Sequence, residues 1–358
     1  MYKKIKYLLL ILFTVSCSNY LATDPFASQD KEKSDIDYII PQNADPKYFI
    51  KADFDEKKIE STMAEYFKKY GKYIIFLEDN KENIKKHKTI EKINNIIKKP
   101  AYLHNGVAVD FSRTNMDFIN QNEFENNKNL IAVKLPNTLR TINNSSFKSC
   151  ERLKAVNLPK SITEIRDSAF EGCISLENIN IESQIKNLSA KAFKNCISLK
   201  KVTLPEGLIS IADSAFNYCQ SLNTINFPST LQTIGISSFH SCKSLKSIKL
   251  NTKLTKIDDN AFDLCSSLTS ISLPDSITEL GSAQGKVFAD CKMLKKVEYL
   301  GKDPTKIKGM KDNTFVSTQP EDLYLPNVPT DPKDNSWSKF LGVTWGKDKI
   351  HYGKPMPK

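Results

Sequence analysis

The sequence is poor in the groupings that catalysis and cofactor binding draw on. Its four histidines, His87, His104, His240 and His351, stand apart from one another. No CxxC pair accompanies the cysteines, which argues against a zinc site of that spacing. A Gly-rich phosphate loop, a GxSxG elbow and an HExxH helix are all absent. His240 lies near Cys242, yet the same slot in neighbouring segments holds Lys148, Glu171, Lys194, Asn217 and Asp263. That slot therefore reads as a variable surface position. With no convergence of groups, the chain reads as a non-enzyme that needs neither metal nor cofactor.

A long apolar run is missing too. The stretch from Tyr7 to Val15 follows Lys3, Lys4 and Lys6, and is far shorter than the roughly 20 residues a membrane helix requires. It has the length of a signal-peptide core, and small Ser16 precedes Cys17. The arrangement resembles a bacterial lipobox, although Thr14 stands where Leu is usual. The resemblance implies cleavage after residue 16, lipid attachment at Cys17 and a membrane anchor. Losing residues 1–16 removes three lysines and no acid, which lowers the net charge from +11 to +8. Residues 17–45 are polar and without periodicity, and are expected to be a flexible tether.

What the sequence does contain is a period. Phe147, Phe170, Phe193, Phe216, Phe239 and Phe262 are each 23 residues apart. Cys150, Cys173, Cys196, Cys219, Cys242 and Cys265 keep the same spacing, as do Leu153 through Leu268. Phe124 lies one period earlier with Asn127 in the cysteine slot, and after Leu280 the ruler slips by three before Phe288, Cys291 and Leu294 resume it. Within one unit, Val156 and Leu158 alternate with Asn157, which suits a strand with one face in the core. Pro159 then ends it. Ile162 and Ile165 return to the interior, and Asp167 or Ser168 can cap a short helical turn that buries Ala169 and Phe170. A single unit cannot close a core, whereas stacked units can. The expected fold is an α/β solenoid of leucine-rich repeats: a continuous parallel sheet, short helical turns opposite it, and a cap at each end.

This unit, with its Ala-Phe-x-x-Cys ending, resembles the BspA-like leucine-rich repeat of treponemal type over about residues 106–300. The resemblance implies a surface-exposed or secreted bacterial protein, with adhesion to matrix proteins among the roles known in the family. The repeat cysteines are an odd seven in one phase, and are expected to be free, buried thiols acting as small hydrophobes.

The open ends of a solenoid must be covered. Residues 46–111 are read as an N-terminal cap with helices over 55–70 and 82–98 and strands over 72–77 and 106–111. The repeats proper occupy 112–300. Residues 301–358 form a degenerate repeat and C-terminal cap, in which Asp322–Pro326 supplies a last strand and Trp337, Phe340 and Trp345 cover the final Phe rung.

Function is then expected on surfaces. Solenoids generally bind on an extended concave face. Its candidate residues are Asn157, Asn178, Asn180, Lys201, Thr203, Thr224, Asn226 and Lys249, a row that includes Ala155, Ser247, Ser270 and Ser272 and reads as small, polar and free of acid. The insertion at Gly281–Val287 is a second candidate surface. The partner expected is an extracellular protein or glycan, with no nucleic acid, and the chain is expected to be monomeric on the outer surface of a bacterial envelope. A scaffold facing the periplasm and meeting only envelope proteins is the rival class.

Overall fold

The structure is a computed structural model that describes residues 35–282, 285–308 and 314–357. The signal peptide, Cys17 and the first half of the expected tether lie outside the described residues.

The repeats stack into a solenoid with three ladders. The main sheet is parallel throughout but hydrogen-bonded in two blocks, not one continuous run. The first block contains Phe49–Ile50, Tyr73–Leu77, Val107–Asp110, Leu130–Lys134 and Ala155–Val156. The second runs from Asn178–Asn180 through 201–203, 224–226, 247–249, 270–273, 296–299 and Asp322–Leu325 to Ile350–Tyr352. At the break, Asn157 turns its amide onto the backbone of Leu135 instead of extending its own strand. A second parallel ladder, which the sequence reading did not foresee, forms where the chain returns to the core. It too is hydrogen-bonded in two blocks of two-residue strands, one ending at Glu164–Ile165 and the other beginning at Asn187–Leu188 and continuing through Ser210–Ile211 and Thr233–Ile234.

The third ladder replaces the expected helical turns. After each return the chain makes successive turns closed by i→i+3 bonds, such as Lys148 N–H to Ser145 O and Cys150 N–H to Phe147 O. Two residues per unit take the left-handed conformation, Ser145 and Ser149 in one unit and Lys191 and Asn195 in another, so a helix cannot propagate. Backbone N–H groups instead reach the next repeat, as Phe147 does to Ala169 O and Phe170 to Ala192 O. Stacking then places the phenylalanine rings face to face from Phe124 to Phe315, with centroids 5.2–5.6 Å apart. The last rung, Phe315, falls 27 residues after Phe288.

Beside this spine runs a thiol ladder. Each buried cysteine donates its S–H to the carbonyl of the phenylalanine in the preceding repeat at 3.0–3.3 Å, from Cys150 to Phe124 O through Cys291 to Phe262 O. All seven are free. Thr318 takes the same place at the far end, donating to Phe288 O at 2.7 Å. At the near end Asn127 fills the slot and accepts the Asn129 N–H while its amide meets Asn94 of the cap.

The N-terminal elements continue the sheet. Asp55 caps the helix Glu56–Tyr70 by accepting the Lys58 N–H, and Gly71, left-handed at φ 68°, ends it. Ile59, Met63 and Tyr66 are its buried stripe. The second helix expected over 82–98 is two, Lys81–Lys86 and Thr89–Ile97, broken at left-handed Lys88. The break seats Thr89 on the Ala52 carbonyl at 3.0 Å.

The tether expected through Asp45 is corrected by the folded unit. A helix at Asp35–Ile39 leads into a chain that lies on the outward face of the first block. Ile36, Ile40, Tyr48 and Phe49 bury themselves there against Ile74, Phe76, Ala108, Ala132 and Ala155. A composition that looks unable to form a core by itself is recruited by one already made.

Candidate functional site

The two outward rows of the main sheet can be read strand by strand. One is Ile74, Ala108, Ala132, Ala155, Asn178, Lys201, Thr224, Ser247, Ser270, Lys296 and Asp322. The other runs from Phe76 through Asn157, Asn180, Thr203, Asn226, Lys249, Ser272 and Glu298 to Tyr324. Only part of this surface is open. Ala155, expected in the exposed row, is covered together with Ala132 and Ala108. Asn157 is half-buried and engaged: its Oδ1 accepts the Leu135 N–H at 2.6 Å and its Nδ2 donates to Leu135 O at 3.2 Å. It belongs to the scaffold.

The remaining seven candidates fall on four consecutive strands and share one exposed surface. Lys201 pairs in register with Asn178 and Thr224, Thr203 with Asn180 and Asn226, and Asn226 with Lys249. All seven are exposed, and Ser247 completes the set. At about 4.8 Å per strand, this window is roughly 14 Å across.

The row itself is free of acid, as expected, but both of its borders carry acid. On the near side Asn178 Nδ2 donates to Asp35 at 2.7 Å, and Asn180 to Glu182 at 2.6 Å, with Lys160 at 3.5 Å from Glu182. On the far side Glu298 is buried, accepting from the Ser272 hydroxyl at 2.6 Å and from the Met356 N–H at 2.9 Å. The His351 ring stacks on Tyr324 at 4.5 Å, and its Nε2 lies 2.9 Å from Asp322. The window is thus bordered by residues 35–48 at one end and, at the other, by Glu298 with the Met356 backbone upon it.

Other candidates resolve differently. Trp337 and Trp345 are buried, and Trp337 and Phe340 pack on Tyr299, which leaves no tryptophan platform for stacking sugars. The slot after each phenylalanine is not a free surface position but a partly buried row of alternating charge. Lys148 lies 3.9 Å from Glu125 and 3.8 Å from Glu171, Lys194 lies 3.5 Å from Glu171, and His240 lies 3.3 Å from Asp263. His240 therefore faces Asp263, while the Cys242 thiol points inward to Phe216 O at 3.3 Å.

An open depression of about 600 Å³ at the carboxyl ends of the first strands is lined by Lys51, Glu78, Asp79, Asn80, Arg113, Thr114 and Asn115. Its charges satisfy one another: Lys51 meets Glu78 at 2.7 Å and Arg113 meets it at 3.9 Å. Burial pushes the Asp79 carboxyl up, but hydrogen bonds from the Ala52 N–H, the Asn83 amide and the Asn80 N–H outweigh it and hold it below its ordinary range. Among the described residues no group of three or more His, Cys, Asp or Glu side chains could hold a metal ion, and no helix is long and apolar enough to cross a membrane.

Stacked 23-residue units around one aromatic spine, with a polar stretch of parallel sheet left open, define a leucine-rich-repeat solenoid. The description of the BspA type leucine rich repeat region matches residues 117–235 and 209–340, and the chain belongs to that family. No curated protein sequence matches the chain. Among solved structures, a leucine-rich repeat protein from Bacteroides ovatus is 23% identical, covering 58% of this chain and 72% of that one with a TM-score of 0.38. A leucine rich cell surface protein from Faecalibacterium prausnitzii is 21% identical over 70% of this chain and 79% of its own, with a TM-score of 0.41. The leucine rich repeat protein of T. pallidum is 30% identical over 47% and 72%, with a TM-score of 0.34.

Proposed function

We propose that this chain is a cell-surface binding protein of a bacterium, lipid-anchored at Cys17, that holds an extracellular macromolecule, protein or glycan, on its open sheet window. The observation that carries this reading is selective exposure. The outward face is buried under residues 35–49 at one end, and at the other Glu298 is buried and held by Ser272 and Met356, yet four polar strands between them stay exposed. A face meant only for solvent needs no such framing, and solenoids present their extended sheet faces to partners. Membership of the BspA-type repeat family supports an envelope location.

The test joins place and surface. Protease treatment of intact cells should remove the protein, and its mature N-terminus should be an acylated Cys17. A Thr224→Trp variant, which fills the window without touching the core, should lose capture by a panel of purified extracellular-matrix proteins and glycans. A protein shielded from protease on intact cells, or a variant that binds the panel unchanged, would contradict the proposal.

A further inference from the structure

The charges on the window have a definite imbalance. Every carboxylate on or beside it already has a partner: Asp35 takes Asn178, Glu182 takes Asn180 and Lys160, Glu177 takes Lys200 at 2.7 Å, and Glu298 takes Ser272 and Met356. Lys201 and Lys249, both exposed, make no ion pair and no side-chain hydrogen bond among the described residues. The two lysines lie two strands apart and two residues displaced along the strand, since Asn226 pairs with Lys249 and Thr224 with Lys201. Strand spacing and rise put that diagonal at about 12 Å. Between them lie the hydroxyls of Thr203, Thr224 and Ser247 and the amide of Asn226.

From this geometry, and resting on the window being the binding surface, we infer that its occupant is an extended acidic peptide segment that sets two carboxylates four residues apart on Lys201 and Lys249. In an extended chain, residues i and i+4 point to the same side and are separated by about 13 Å, which matches the lysine diagonal. A three-residue spacing turns the second carboxylate to the opposite side. The hydroxyls and the Asn226 amide between the lysines suit a peptide backbone, whose N–H and C=O groups need both acceptors and donors. A sugar chain would lack its usual stacking partner, because both tryptophans are buried.

The experiment is fluorescence anisotropy with the full chain in mild detergent and labelled, Ser/Thr-rich peptides. One peptide carries two Glu residues four positions apart, a second carries them three apart, and a third has Lys in place of Glu. The first should bind, weakening as salt rises. Lys201→Gln or Lys249→Gln should each weaken it about fivefold, and the double variant on the order of 20-fold. Lys86→Gln, on a distant helix, should leave it unchanged, and unaltered circular dichroism certifies the fold of each variant. Binding indifferent to the double variant, equal binding of the second or third peptide, or no binding at all overturns the inference. So does a sulfated oligosaccharide that binds through the same lysines when the peptide does not, since the occupant is then a glycan. If Thr224→Trp abolishes macromolecular capture while the double lysine variant retains it, the window stands and only the acidic occupant falls.

Discussion

Ala132 and Thr224 occupy the same place in their repeats and have opposite fates. Both sit on a parallel strand with a buried valine or isoleucine beside them, Val133 and Ile225, and both point outward. Ala132, between Ala108 and Ala155, lies under Ile36 and Ile40, whereas Thr224, between Lys201 and Ser247, faces solvent. The backbone is indifferent to this choice, because each strand is parallel and the phenylalanine spine runs unchanged beneath both. What decides it is whether the outward residue is small and apolar enough for a second layer to close upon it. The covered stretch extends the core, and the open stretch stays exposed.

The largest expected effect tests whether the two stretches share one interior. Burial raises all seven repeat thiols, those of Cys150, near the covered stretch, and Cys291, beyond the open one, to about 12. Burial acts in the same direction on Cys196, and on Cys173, Cys219, Cys242 and Cys265, where neighbouring thiols reinforce it. An unfolded thiol ionises near 8.5. The native state therefore holds protons that the unfolded chain releases, so stability is intact below about pH 8.5 and declines as pH climbs toward 12. Each thiol withdraws roughly 1.4 kcal/mol per pH unit, and seven together on the order of 10, comparable with a whole domain's stability. Thiolate ultraviolet absorbance and loss of circular dichroism should rise together, roughly one to two units above pH 8.5. Gradual ionisation near pH 9 in a chain that stays folded would mean the ladder is not sealed.

The next test breaks the comparison itself. Ala132→Lys forces a long charged side chain into the layer formed by Ile36 and Ile40, and should cost more than about 3 kcal/mol through overpacking and an unpaired buried charge. Thr224→Lys, at the equivalent position, should change stability by no more than about 0.5 kcal/mol. Denaturant midpoints measure both, and limited proteolysis should show residues 35–45 released in the first variant alone. Equal costs would mean that the two stretches are covered alike.

Much of this architecture was legible because burial repeats itself. A phenylalanine that must stack on its neighbour, and a thiol that must reach the previous carbonyl, recur at a fixed interval or the spine fails. The covered stretch was harder to read. Its signal is the row Ala108, Ala132 and Ala155, where a solvent-facing strand would carry polar side chains, but the covering residues 35–48 are distant in sequence and their isoleucines stand among acids, amides and prolines without a period. The second ladder escaped notice because its strands are two residues long, too short for alternation to register. The last rung escaped because the spacing to Phe315 is 27 and Thr318 replaces the cysteine. Of the eight predicted site residues, the structure brings seven onto one open surface. Asn157 differs because its amide found a backbone partner, which residue type alone cannot reveal.

The smallest effect sharpens the border between the two stretches. Asn157 and Asn226 occupy the same row of the sheet, and a reading by residue type treats them alike. Asn157 clamps both the N–H and the C=O of Leu135 where the main ladder is interrupted, so Asn157→Ala leaves a partly buried donor and acceptor without partners. The cost should be about 1–2 kcal/mol, read as a shift in denaturant midpoint at unchanged slope. Asn226→Ala should stay within about 0.5 kcal/mol, because its amide is exposed and makes no hydrogen bond among the described residues. Its effect should appear instead in peptide binding, to which Asn157→Ala should be silent. Were Asn226→Ala the more destabilising of the two, the open window would be part of the scaffold, and the border would have to be drawn elsewhere.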